Sequence, residues 1–167
     1  RYEGPGRLLF LPYLNGERLG PATNARAQFF GLTASHGAGH LHRAVMEGVA
    51  FAARRNIAIM QRAGAAPERI VAAGGGAKTA LWLEIKASVW NVPLVTAAEA
   101  EAGVLGCAAM AGVACGAFSG IGNAVNSLVR IEREILPNPA WAERYARMAE
   151  LFDRLYEQAI PLYAALE

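Results

Sequence analysis

The sequence predicts a single α/β domain, and three observations carry that expectation. The apolar, partly β-branched run Ile70-Val71-Ala72-Ala73 stops at Gly74-Gly75-Gly76 and gives way at once to a helix-like pattern from Thr79 to Trp90. A second short strand, Leu94 to Thr96, precedes another helical segment from Ala102 to Cys115. Strands therefore alternate with helices, as in an α/β sheet. The 167 residues are 54% hydrophobic and 18% charged. That is enough apolar material for one packed core, and the composition is not that of a disordered chain.

In chain order, Leu8 to Leu14 is apolar, and its Pro12 suits an edge strand or an extended connection. Asn15 to Arg26, with its Gly, Pro and Asn, reads as a loop. Phe29 to Leu32 is a short strand. A helix is predicted from Gly37 to Arg62, because Leu41, Ala44, Val45, Gly48, Val49 and Ala52 repeat at helical spacing. Thr33 or Ser35 is placed to cap its start, and Gly64 to end it. Asn91 and Pro93 stop the helix after the glycines. Ala102 to Cys115 is expected to be a buried helix, and Gly112 and Gly116, four apart, to allow close packing. Ser119 opens a further short helical stretch. Asn138-Pro139 is an N-cap followed by proline at the first helical position. The last helix carries Tyr145, Met148, Phe152, Leu155 and Ala159 at helical spacing, and Pro161 is expected to kink or break it.

Charge and cysteine content narrow the function classes. The formal net charge is +2 with no basic cluster, which argues against nucleic acid. Cys107 and Cys115 form neither a CxxC pair nor a disulfide framework, so a reducing cytoplasm is the default. The uncharged run Gly103 to Phe118 is shorter than the ~20 residues a bilayer requires. The opening residues Arg1-Tyr2-Glu3-Gly4-Pro5-Gly6 are turn-like and lack the apolar core of a signal peptide. The chain does not begin with Met and is expected to be a piece of something longer.

The glycine run admits two readings. A turn without Cβ atoms lets a flat ligand lie directly on the backbone, and strand–glycine turn–helix units build many nucleotide sites. The plainer reading is a tight turn. Two common phosphate motifs do not fit. A Walker A loop would need glycines where Ala72 and Ala77 stand, and the dinucleotide fingerprint would need one at Thr79. His36 and His40 are spaced as in a zinc motif, but Gly37 replaces its Glu and no third ligand is near, so no metal site is expected.

Four segments together resemble the FGGY family of carbohydrate kinases. Phe10-Leu11-Pro12-Tyr13-Leu14-Asn15-Gly16-Glu17-Arg18 looks like the family's LPYLxGER segment. Ala27-Gln28-Phe29-Phe30-Gly31-Leu32, with His40-Leu41 and Ala44-Val45-Met46-Glu47 at the right spacing, resembles its second signature. Gly74 to Trp82 resembles GGGAKSxxW, and Glu99 to Gly112 the following Gly/Ala-rich helix. The wording is most similar to xylulokinase-like members.

The resemblance implies an actin-like, ribonuclease-H-like ATPase fold, with a mixed sheet flanked by helices and incomplete at its N-terminal end. It implies that residues 1–167 are part of the nucleotide-binding C-terminal domain of a two-domain sugar kinase. The implied reaction moves the γ-phosphoryl group of MgATP to a sugar or polyol hydroxyl, a pentulose such as xylulose. The catalytic Asp and the phosphate-holding glycine motif are expected upstream, so no catalytic residue is assigned here and the chain alone is expected to be inactive. Gly74, Gly75, Gly76, Ala77, Lys78 and Thr79 become the nucleotide-binding residues, with Gly75, Gly76 and Ala77 as the adenine shelf. A side chain at Gly75 or Gly76 is expected to block the base. Lys78 reads first as a solvated side chain, Glu47 as a partly buried acid paired with an Arg, and Glu17 and Arg18 as residues that order a loop. The family pattern is broken between Arg18 and Arg26, where no acid occurs, and at Ala27 and Ala80.

Partners implied are an adenine nucleotide, a sugar held by another domain, and a second copy of the chain, since exposed strand edges and apolar surface favour self-association. Two rivals remain open. One is a non-kinase nucleotide domain of the actin-like superfamily, against which LPYLxGER argues. The other is a non-catalytic module whose glycines are purely structural, which nucleotide titration would separate.

Overall fold

A computed structural model of the chain describes residues 4–18, 20–99 and 101–166. Arg1 to Glu3 of the turn-like opening, Leu19 of the loop and Ala100 of the Gly/Ala-rich segment lie outside the described residues. The order of elements is β1 (Leu9–Leu11), β2 (Gln28–Phe30), α1 (Ala38–Arg62), β3 (Ile70–Ala72), a 3-10 turn (Gly75–Ala77), α2 (Ala80–Trp90), β4 (Leu94–Ala97), α3 (Ala102–Ala114), α4 (Ile121–Leu128), β5 (Ile131–Ile135) and α5 (Pro139–Tyr163), with a closing 3-10 turn (Ala164–Leu166).

Two sheets form. β1 and β2 pair antiparallel, Leu9 opposite Phe30. β3 and β4 pair parallel with Ile70 opposite Leu94, and β5 adds antiparallel to β4. The order β3-β4-β5 makes β4 central and leaves β3, the strand before the glycines, at an edge of this sheet. β5 was not foreseen as a strand. Its Ile-Glu-Arg-Glu-Ile alternation is the signal.

The main core lies between β1, α1, α2 and α5. All three residues of β1 are buried, and Phe51, Ile85, Tyr145, Phe152 and Tyr156 pack in the same cluster. α1 reaches β1 at backbone contact, because a Cβ on Gly48 would lie 2.1 Å from the Phe10 carbonyl oxygen. The buried stripe of α1 is Arg43, Ala44, Glu47, Gly48, Ala50 and Phe51. Val45 and Val49, expected inside, are each 37% exposed. The stripe is rotated because Arg43 and Glu47 satisfy one another and can enter the core as a pair. α1 therefore packs on β1 and α2 rather than on the three-stranded sheet.

Two side-chain bonds seat α2. Trp90 Nε1 donates to the Ala50 carbonyl of α1 at 2.8 Å, and Ser88 Oγ accepts from the Asn138 N–H at 3.1 Å. Asn138 in turn caps α5, its Oδ1 accepting from the Trp141 N–H at 3.2 Å. α5 continues through Pro161 to Tyr163, so the expected break is absent. Asn91 ends α2 in the left-handed conformation, φ 52°, as its position predicts.

α3 is not the buried helix its composition predicts. Ala109 is its one buried residue, and Val104 and Met110 are 66% and 59% exposed. The helix packs against α4 and faces Val71, Ala73 and Ala97 across a cleft of about 190 Å³. Gly112 does serve close packing, since a Cβ there would meet the Phe118 ring at 2.6 Å, whereas nothing lies within 4 Å of Gly116. Gly116 instead closes the helix with φ 79°. At the start of α1, Thr33 and Ser35 do not cap. Gly37 takes that position, and Thr33 and Ser35 bond each other through their hydroxyls at 2.8 Å. Gly64 ends α1 with φ 85° as foreseen.

Candidate functional site

The glycine turn stands at the carboxyl end of β3, beside the carboxyl end of the parallel strand β4. This is where α/β sheets hold ligands, because both strands end there and the chain turns away. Gly74 has φ 71°, a conformation closed to most side chains. The 3-10 turn Gly75–Ala77 follows, the Ala77 N–H bonding the Gly74 carbonyl at 3.0 Å. Lys78 ends the turn, and Thr79 takes the N-cap position of α2 without a side-chain cap bond. Thus all six residues from Gly74 to Thr79 fall in one continuous turn at the start of a helix.

The two central glycines differ. Nothing lies within 4 Å of where a Gly75 Cβ would sit. A Gly76 Cβ would lie 3.1 Å from Lys86 Nζ and 3.5 Å from the Trp82 ring. Gly75 thus presents an open face, and Gly76 is sealed by two side chains of α2. Lys86 and Trp82 were missed at the sequence level, although their i,i+4 spacing on a helix is the signal for a cation over a ring. The ammonium sits 4.1 Å from the centroid of the Trp82 ring and burial pulls its pKa down.

A cleft of about 170 Å³ opens beside the turn, lined by Gly74, Ala77, Lys78, Thr96, Glu99 and Arg133 among others. Lys78 is exposed there, consistent with a solvated side chain. Thr96 is 4% exposed, and its Oγ1 has no hydrogen-bond partner among the described residues.

The other candidate residues serve the frame. Glu47 is 3% exposed. It accepts from Arg43 Nε at 2.7 Å, from the Tyr145 hydroxyl at 2.7 Å and from the Gly6 N–H at 3.4 Å. Burial first, then the Glu47 carboxylate, push the Tyr145 phenol well above its usual range. Glu47 is thus fully rather than partly buried, with an Arg partner as expected. Glu17 accepts from the Tyr156 hydroxyl, tying the loop after β1 to α5. Arg55 covers the same Tyr156 ring at 3.7 Å, and burial pushes Tyr13 up to about 12. His36 Nδ1 accepts from the Thr33 N–H at 2.9 Å, and His40 Nδ1 from the Gly37 N–H at 3.1 Å. Among the described residues, no three His, Cys, Asp or Glu side chains come together as a metal-ligand group. The single aspartate of the chain, Asp153, pairs with Arg54 and Arg55 at 3.6 and 3.8 Å, where α1 meets α5.

The fold and turn define a mixed α/β domain with an open, backbone-lined turn at the carboxyl ends of its parallel strands. Residues 2–115 match the FGGY family of carbohydrate kinases, C-terminal domain, and the chain belongs to that family. It is similar to a xylulose kinase of Staphylococcus epidermidis, 33% identical over 165 residues, which cover 98% of this chain and 33% of that protein. The structure of ligand-bound xylulose kinase from Lactobacillus acidophilus matches with TM-score 0.86 and 30% identity, covering 96% of this chain and 33% of that one. Gluconate kinase from Lactobacillus acidophilus matches with TM-score 0.81 and 31% identity, covering 96% and 32%. The chain spans about a third of the length of the curated relatives it matches. Its fold is that of the C-terminal part of these actin-like kinases. Among the described residues, no helix is long and apolar enough to cross a membrane.

Proposed function

We propose that residues 1–167 form the nucleotide-binding part of a carbohydrate kinase. The enzyme moves the γ-phosphoryl group of MgATP to a hydroxyl of a sugar or polyol, a pentulose such as xylulose. The observation that carries the reading is the open Gly75 face of a turn at the ends of two parallel strands, in a chain of the FGGY family. Xylulose is favoured over other acceptors by the xylulose kinases among the relatives that cover nearly all of this chain.

Gly74, Gly75, Gly76 and Ala77 hold the adenine side through backbone. Lys78 and Thr79 stand where the N–H groups at the start of α2 favour anions. The turn fits a flat base because no side chain occupies the space over Gly75. The described residues bring together no carboxylate set for Mg²⁺, so no metal-held step is assigned to them. Mg²⁺ is commonly held by nucleotide phosphates and few protein groups. Asp153 is committed to two arginines and is not assigned as the base. The isolated segment is therefore expected to bind nucleotide without turnover, because phosphoryl transfer needs base, metal and acceptor placed together.

The reading includes work in the cytoplasm, supported by free, exposed Cys107 and Cys115. It also includes a homodimer, supported by apolar side chains left exposed on α3 and α4; light scattering of the purified protein decides that point. The decisive experiment is a coupled ADP-release assay on the full polypeptide carrying this segment, with D-xylulose and D-gluconate as acceptors. ATP-dependent turnover on xylulose is the expected result, and no turnover on any sugar or polyol overturns the kinase reading. Gly75→Ala sharpens it. With no protein atom in the way, the variant should keep its melting temperature yet lose roughly tenfold or more in ADP affinity, since the methyl group enters the base's space. Unchanged affinity would mean that the turn serves the backbone alone.

A further inference from the structure

Lys86 is half-buried on α2, and among the described residues no carboxylate pairs with it. The other cations drawn into the fold are compensated: Arg43 by Glu47 at 2.7 Å, Arg55 by Asp153 at 3.8 Å. Withdrawing an ammonium from water without a counter-ion is costly, so its position calls for a reason. Its neighbours supply one. Nζ lies over the Trp82 ring and donates a long hydrogen bond, 3.4 Å, to the Gly76 carbonyl. The contact joins the middle of α2 to the glycine turn at Gly76, next to the open Gly75.

We propose that Lys86 is a positioning residue for the nucleotide shelf: seated on Trp82, it holds the Gly76 carbonyl and thereby keeps the 3-10 turn in the shape that presents Gly75 to the base. The inference rests on the kinase reading above. It makes Lys86, rather than the exposed Lys78, the lysine on which nucleotide affinity depends. Lys86 does so without touching the nucleotide. Trp82 is part of the device, because the ring fixes where the ammonium sits. Methionine at position 86 would keep the stem's bulk and lose both the donor and the charge. Arginine would keep both.

The test is ADP titration by calorimetry on the full polypeptide, with steady-state kinetics on ATP and D-xylulose alongside. Lys86→Met should weaken ADP binding and raise the KM for ATP roughly three- to tenfold, as loss of one positioning hydrogen bond implies. The KM for xylulose should stay unchanged, and Lys86→Arg should restore most of the loss. Trp82→Leu, which leaves the lysine without its seat, should shift ATP in the same direction and serves if Lys86→Met does not fold. Wild-type ADP affinity in a folded Lys86→Met protein overturns the inference and leaves the kinase reading intact. An equal loss toward ATP and xylulose, unrepaired by arginine, also overturns it, since that is what a merely structural lysine would do. A wild-type protein that binds no ADP overturns the kinase reading itself.

Discussion

The body built from β1, α1 and α5 and the region of β3, β4, α3 and the glycine turn differ in how they pair charges and cover apolar side chains. In the body, Glu47 is 3% exposed and accepts from three donors on three segments of the chain, and Phe51, Tyr145, Phe152 and Tyr156 are buried in the core. In the glycine-turn region, Thr96 Oγ1 and Trp82 Nε1 are buried without partners among the described residues, as are single atoms of Arg43, Arg55 and Tyr163 in the body, where the two arginines nevertheless keep a carboxylate beside them. Among the described residues no carboxylate pairs with Lys86, and α3 buries one side chain. Buried polar groups in folded proteins are nearly always satisfied, and exceptions call for an explanation. Stability is thus concentrated where charges are paired. The proposed nucleotide site lies where they are not, beside the open backbone face of Gly75.

Breaking the buried pair should have the largest effect. Glu47→Ala leaves the Arg43 guanidinium buried without its carboxylate and should cost about 3–5 kcal/mol, read from urea unfolding. A loss under about 1 kcal/mol would show that the two regions do not differ as described. An intermediate effect is expected at alkaline pH. Tyr145 has a folded-state pKa raised by burial and by Glu47, while the unfolded phenol titrates near 10. Its contribution is fully present below about pH 10 and is lost as pH rises beyond that, because only the unfolded chain then releases the proton. The melting temperature should fall from pH 9 to pH 11, and less steeply in Tyr145→Phe. A slope identical to wild type would remove Tyr145 from the account. The smallest effect is expected in the other region. Met110→Ser on α3 changes a side chain that is 59% exposed, and the unfolding free energy should move by no more than about 0.5 kcal/mol. A loss of 2 kcal/mol or more would mean that α3 is covered in the native protein and that the contrast between the regions is overstated.

Much of the fold was legible locally. Asn138-Pro139 starts α5, Asn91 stops α2 and Gly64 ends α1, because each of those residue types answers a specific backbone need at a helix end. The family motifs marked the glycine turn and Glu47. What local pattern misjudged was burial. Val45 and Val49 repeat at helical spacing, yet the stripe that enters the core contains Arg43 and Glu47 in their place. Ala102 to Ala114 is apolar throughout, yet faces outward for most of its length.

By itself, the sequence determined where α1 and α2 end and where α5 begins, the glycine turn between strand and helix, and the family to which the chain belongs, since each rests on neighbours within a few residues. The tertiary structure alone decided three other things. It seated Tyr145 of α5 against Glu47 of α1. It divided the glycines, Gly75 open and Gly76 closed by Lys86 and Trp82. It placed β4 rather than β3 at the centre of the sheet. Each of these joins side chains or strands through space, and helical or strand periodicity names the face a residue occupies but not which element will cover it.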